Sequence, residues 1–189
     1  MPAEVQAPSI TIEPATIDDA PAISRTQVQA WHDAYRDLLP AGYLQTMTAD
    51  GAAYRWAGIL RDDRQHVLLA RCDETIAGFA NAGPARDWND VAGQVGEIYA
   101  IYLLAEYWGR GIGRQLCTHA LDTLVKSGFT EVLLWVLENN KRGRRFYEQA
   151  GFIADGAVRE VPQIAPDIRI MRYRRALPDG PAGMAPPPS

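Results

Sequence analysis

The stretch from Gln94 to Leu137 constrains the fold more than any other part of the chain. A run rich in β-branched and aromatic residues, Gln94 to Leu103, leads into Tyr107-Trp108-Gly109-Arg110-Gly111-Ile112-Gly113-Arg114. Ile112, Leu116, Ala120, Leu121 and Leu124 then recur at three-to-four spacing, which predicts a helix with one apolar face. It closes at Lys126 and Gly128, where a basic residue and a glycine suit a helix C-terminus. Glu131 to Leu137 follows as a buried strand. Strand, glycine loop, helix, strand is a right-handed crossover, the unit of an α/β or α+β sheet. Three alternate glycines also leave bare main-chain N–H groups at a helix N-terminus, where a phosphate can approach, and Arg110 and Arg114 add positive charge.

The loop fits neither standard nucleotide motif. A dinucleotide fingerprint requires glycine at position 114, which is arginine, and a P-loop requires Gly-Lys-Ser/Thr, which is absent. On the loop alone, glycines that merely permit a tight strand-to-helix turn stay as an alternative. Upstream, Ser9 to Glu13 reads as a strand. Asp18-Asp19-Ala20-Pro21 opens a helix carried by Ile23, Gln27, Val28, Trp31, Tyr35 and Leu38/Leu39 up to Pro40. A second helix spans Gly51 to Leu60, and Val67 to Arg71 and Thr75 to Ala82 form a hairpin turned at Asp73-Glu74. Downstream come a short helix from Lys141 to Gln149, then strands at Phe152 to Ile153 and Asp167 to Arg174. The proline-bearing ends, residues 1–9 and 178–189, are expected to be disordered, leaving one domain over residues 10–177.

A chain of 189 residues with 47% hydrophobic side chains can bury roughly 70% of its unfolded surface, so packing suffices without disulfides or a structural metal. Cys72 and Cys117 read as reduced core residues, and His32, His66 and His119 have no metal-ligand spacing, so no metal is expected. No apolar run of membrane length and no secretory signal are present; a cytoplasmic protein with no membrane partner is expected. The net charge of −4 argues against nucleic acid as a partner. That sum hides a split. Leu104 to Arg175 holds 12 basic and 8 acidic residues, whereas Met1 to Leu103 holds 7 basic and 14 acidic ones. One part suits an anion and the other a cation.

Two motifs at consistent spacing carry a family resemblance. Trp108-Gly109-Arg110-Gly111-Ile112-Gly113 is similar to Gln/Arg-x-x-Gly-x-Gly/Ala, with Trp108 in the leading place, and Asn140, Phe146-Tyr147-Glu148 and Gly151-Phe152 match a second signature. Both belong to the GNAT superfamily of acyl-CoA N-acyltransferases, which the segment Glu97 to Phe152 resembles. Trp31, Tyr35-Arg36, Leu39-Pro40 and Tyr43-Leu44 look like the opening helices of a branch that includes polyamine acetyltransferases. The resemblance implies a single-domain α/β (α+β) fold whose mixed, mostly antiparallel sheet is flanked by helices and splays a strand pair around acyl-CoA. It implies acetyl-CoA as co-substrate and a small-molecule amine or polyamine as acceptor, with protein amines or a non-catalytic acyl-CoA sensor as rivals, and it leaves room for a homodimer.

The resemblance also distributes roles. Amine acetylation needs a proton acceptor for the ammonium, and Glu97, fourteen residues before Gly111, is the candidate base. Tyr147, at the Phe-Tyr position, would protonate the departing thiolate. Ile101, Tyr102 and Leu103 would offer main-chain groups to the pantetheine arm, as an added strand would receive them, and one N–H there could polarise the thioester oxygen. Gly109, Arg110, Gly111, Ile112, Gly113 and Arg114 would hold the pyrophosphate; Asn140 would bond a pantetheine amide or cap the helix before Lys141. Arg142, Arg144 and Arg145 are further candidates for phosphate. On the acceptor side, Trp31 and Tyr35, one helical turn apart, read as core, and Asp33, Asp37, Asp87 and Asp90 are candidates to attract a cationic amine.

Overall fold

The computed structural model describes residues 10–73, 75–86 and 94–178. Seven strands form one sheet: β1 (Ile10–Pro14), β2 (His66–Cys72), β3 (Thr75–Pro84), β4 (Val95–Leu103), β5 (Glu131–Leu137), β6 (Ile153–Glu160) and β7 (Arg169–Ala176). Their spatial order is β1-β2-β3-β4-β5-β7-β6, and β4/β5 is the parallel pair among antiparallel neighbours. The parallel step is the one the glycine loop predicts, because a crossover through a helix returns the chain in the same direction.

Helices cover both faces. Along β2 the unbroken run Val67, Leu68, Leu69, Ala70 is buried throughout, as a strand sandwiched between two helical layers must be. Val67 and Leu69 join Ile76 and Phe79 against Ile23 of α1 (Ala20–Tyr35) and Ala52 and Trp56 of α3 (Ala49–Ile59), with the short α2 (Ala41–Gln45) between these helices in sequence. Leu68 and Ala70 face the opposite way, onto Ile112, Leu116, Ala120 and Leu124 of α4 (Ile112–Lys126). Phe146 and Tyr147 of α5 (Lys141–Gln149) pack on that same side. None of the described helices is long and apolar enough to cross a membrane.

Two expectations shift. The first helix ends at Tyr35, not Pro40: Leu38 and Leu39 donate back to the Tyr35 carbonyl, closing the chain into turns ahead of a proline that disfavours helix in the residue before it. The last hairpin is longer than its sequence suggests, since β6 runs to Glu160 as an edge strand exposed along most of its length, where no apolar alternation is required. Asp87 and Asp90 lie outside the described residues, as do the ends expected to be disordered, apart from Pro178.

Candidate active site

β4 carries the geometry of the site. Its pairing with β3 skips Tyr99, so that Ala82 faces Ile98 while Asn81 faces Ala100. One extra residue inverts the side-chain phase. Before the bulge Ile98 faces α4; after it Ile101 and Leu103 do, while Ala100 and Tyr102 pack toward α1 and α3. On its other edge β4 pairs with β5 only at Val95↔Glu131, Gly96↔Val132 and Glu97↔Leu133. Beyond Glu97 the strands part, and among the described residues no strand pairs with that edge of β4. A cavity of ≈ 1300 Å³ occupies the gap, lined by Ile101, Tyr102, Leu103, Tyr147 and Asn140 together with the glycine loop. A splayed edge of this kind accepts an amide-bearing chain as an added strand.

At one end of the cavity the loop turns into α4. Gly109 and Gly111 have φ of +77° and +79°, a region L-residues avoid, and Gly111 is the N-cap of α4. Among the described residues, no main-chain N–H from Gly109 to Arg114 donates to another main-chain group; the first helical bond comes from Gln115 to Gly111. These donors, backed by the helix dipole, suit a pyrophosphate. Gly109, Gly111, Ile112, Gly113 and Arg114 line the cavity, whereas the exposed Arg110 lies over the Tyr107 ring at 5.5 Å instead. Trp108, in the motif's leading position, fastens the loop: its indole N–H donates to the Leu103 carbonyl at 3.0 Å, and the Arg142 guanidinium covers its ring at 3.5 Å. Arg142 lines the cavity, whereas Arg144 is outside its described lining and donates to the Tyr173 hydroxyl and the Glu138 carbonyl. Asn140 caps α5 through its side-chain oxygen, which accepts from Gly143 N–H at 2.9 Å. Its amide nitrogen is the group left to bond a ligand carbonyl.

Tyr147 stands where the two strands separate, between the rings of Phe146 at 5.1 Å and Phe152 at 5.8 Å. Burial, with the neighbouring Tyr35 and Cys117, drives its phenol far above the usual tyrosine range, so it stays a proton donor at any working pH. Burial likewise raises the Cys117 thiol to about 11, which removes a nucleophilic role for it near neutrality.

Glu97 is placed otherwise than a freely exposed base would be. It is 2% exposed and outside the described lining of the cavity. Its carboxylate accepts from the Arg86 main-chain N–H at 2.9 Å and from the Arg86 guanidinium at 2.5 and 3.2 Å. Tyr99, which does line the cavity, stacks under Arg86 at 4.3 Å, and burial and the Glu97 charge push its phenol up to about 12.

The remaining wall is aromatic. Trp31 and Tyr35, which their spacing reads as core, line the cavity beside Tyr102. The ring centroids lie 5.1 Å apart for Trp31 and Tyr35, 5.9 Å for Trp31 and Tyr102 and 6.3 Å for Tyr35 and Tyr102. Asp33 and Asp37 are not on this wall; Asp33 accepts from Gln29 and pairs with Arg36 at 3.9 Å. Sequence reasoning assigned Tyr102 for its backbone alone and missed the fastening of Trp108 by Arg142, because both depend on contacts between distant elements. Among the described residues no cluster of His, Cys, Asp and Glu could hold a metal ion.

Comparison with known proteins agrees with this geometry. The model of the acetyltransferase (GNAT) family matches residues 28–152. The chain is 30% identical over 132 residues to the uncharacterized N-acetyltransferase YuaI of Bacillus subtilis, covering 69% of this chain and 73% of that one. In structure it is similar to the PaiA N-acetyltransferase of Thermoplasma acidophilum in complex with coenzyme A, with TM-score 0.69, 22% identity and coverage of 88% and 99%. It is likewise similar to the ribosomal-protein-S18-alanine N-acetyltransferase of Escherichia coli, with TM-score 0.66, 18% identity and coverage of 94% and 99%. A parted β4/β5 pair, a cradle of free N–H groups and matched family motifs thus converge, and the chain belongs to the GNAT family as an acetyl-CoA-dependent acyltransferase.

Proposed function

We propose that the protein transfers the acetyl group of acetyl-CoA to a small primary amine by direct attack, with donor and acceptor bound together. The carrying observation is that one cavity joins the loop N–H groups, the unpaired edge of β4, the Tyr147 hydroxyl and the aromatic wall. Phosphates of the donor bind the N–H groups of residues 109–114, and the pantetheine arm pairs with Ile101 to Leu103. Acetyl-CoA supplies an activated acyl group; a β4 main-chain N–H polarises its carbonyl oxygen, and Tyr147 protonates the leaving sulfur. The amine arrives from the aromatic side. Its ammonium has a pKa near ~10 and must lose a proton. Glu97 receives that proton through water rather than directly, because its carboxylate lies behind the cavity wall and is held by Arg86.

Thermal unfolding with acetyl-CoA, ATP or a dinucleotide tests the donor, and thiol release across small amines, peptides and proteins tests turnover. Stabilisation by acetyl-CoA above the others, with amine-dependent thiol release, is expected. Binding without release for any amine would instead identify an acyl-CoA sensor.

A further inference from the structure

Resting on that reading, we infer that the acceptor is a monoamine with an aromatic or bulky apolar body, which the site prefers to a polyamine. The half-buried rings of Trp31, Tyr35 and Tyr102 form one wall, with Tyr43 behind Trp31 at 6.4 Å. The lining also holds Trp135, Leu137, Val161, Ile164 and Ile170, from β5 and from the β6–β7 connection and hairpin. Such walls take an apolar body by burial, and aromatic faces attract a single ammonium.

No Asp or Glu occurs among the described residues that line the cavity. These described lining residues give a second ammonium no carboxylate partner, so an amine with an apolar body gains more from the walls than a polyamine does.

Phenethylamine and spermidine separate the two classes. Calorimetric binding to the coenzyme A-loaded protein and kcat/KM with acetyl-CoA are measured in parallel. Phenethylamine should bind and react at least tenfold better than spermidine. Preference for spermidine or absence of phenethylamine binding overturns the inference. Selective binding without turnover leaves the pocket standing and defeats the catalytic reading; turnover confined to spermidine does the reverse.

Discussion

Tyr147→Phe isolates a single proton. The phenyl ring keeps its contacts with Phe146 and Phe152, so thermal stability should change by less than about 1 kcal/mol, the size of one ordinary hydrogen bond. Chemistry should suffer far more. A positioned general acid contributes about 10²- to 10⁴-fold, and here the leaving sulfur would otherwise depart as an anion into a cavity walled largely by apolar side chains. We expect kcat to fall at least 100-fold near pH 7. The pH dependence sharpens the test. Because burial holds the phenol of the parent above the usual tyrosine range, the parent keeps its donor throughout the assay range. The variant must expel the thiolate unaided, a departure whose rate is set by the thiol's intrinsic pKa and not by the bulk pH. The ratio of parent to variant kcat should therefore stay large from about pH 7 to 9.5. Thiol release at saturating substrates reads both quantities. A variant within threefold of the parent across that range refutes Tyr147 as the acid.

Further outcomes follow from neighbouring contacts. Glu97→Gln should lower the rate most near neutrality and less at high pH, where the amine deprotonates itself; a parent-like rate independent of pH removes Glu97 from proton transfer. Arg86→Ala leaves a carboxylate that is 2% exposed without its guanidinium; because Arg86 is itself 66% exposed and the residue 86 N–H persists, the loss should be about 1.5 kcal/mol by denaturant titration, the low end for a hydrogen bond to a charged group. Trp108→Ala loses the bond to Leu103 and the Arg142 stack; KM for acetyl-CoA should rise several-fold with little effect on the acceptor, and an unchanged KM would show that the loop holds its shape unaided. With its thiol raised to about 11, Cys117 is about one part in a thousand thiolate at pH 8. Peptide mapping after iodoacetamide should find it unlabelled in the folded protein, with labelling increasing toward pH 11; rapid labelling at pH 8 contradicts its burial.

Much of this fold is local and hence legible. Ile112, Leu116 and Leu124 mark the inner face of α4, and Glu131–Leu137 and Lys141–Gln149 occupy the ranges their patterns indicate. Weak local signals misled in both directions. Leu39 is buried like a continuation of α1, yet the helix has already ended at Tyr35. β6 has almost no apolar alternation, because an exposed edge needs none.

The sequence alone determines the donor end. Left-handed glycines, a helix N-terminus and its charge sit within a few residues, so spacing defines them whatever packs around them. Tertiary structure decides the rest. The bulge at Tyr99 sets which β4 side chains face each layer, and the loss of β4/β5 pairing after Glu97 opens the cavity. Arg86 closes over Glu97 from eleven positions away, and Trp31 and Tyr35 meet Tyr102 across more than sixty. Such contacts depend on register and on competition between burial and pairing across the sheet. No spacing along the chain encodes that competition, which is why the aromatic wall of the cavity emerges only when the strands are assembled.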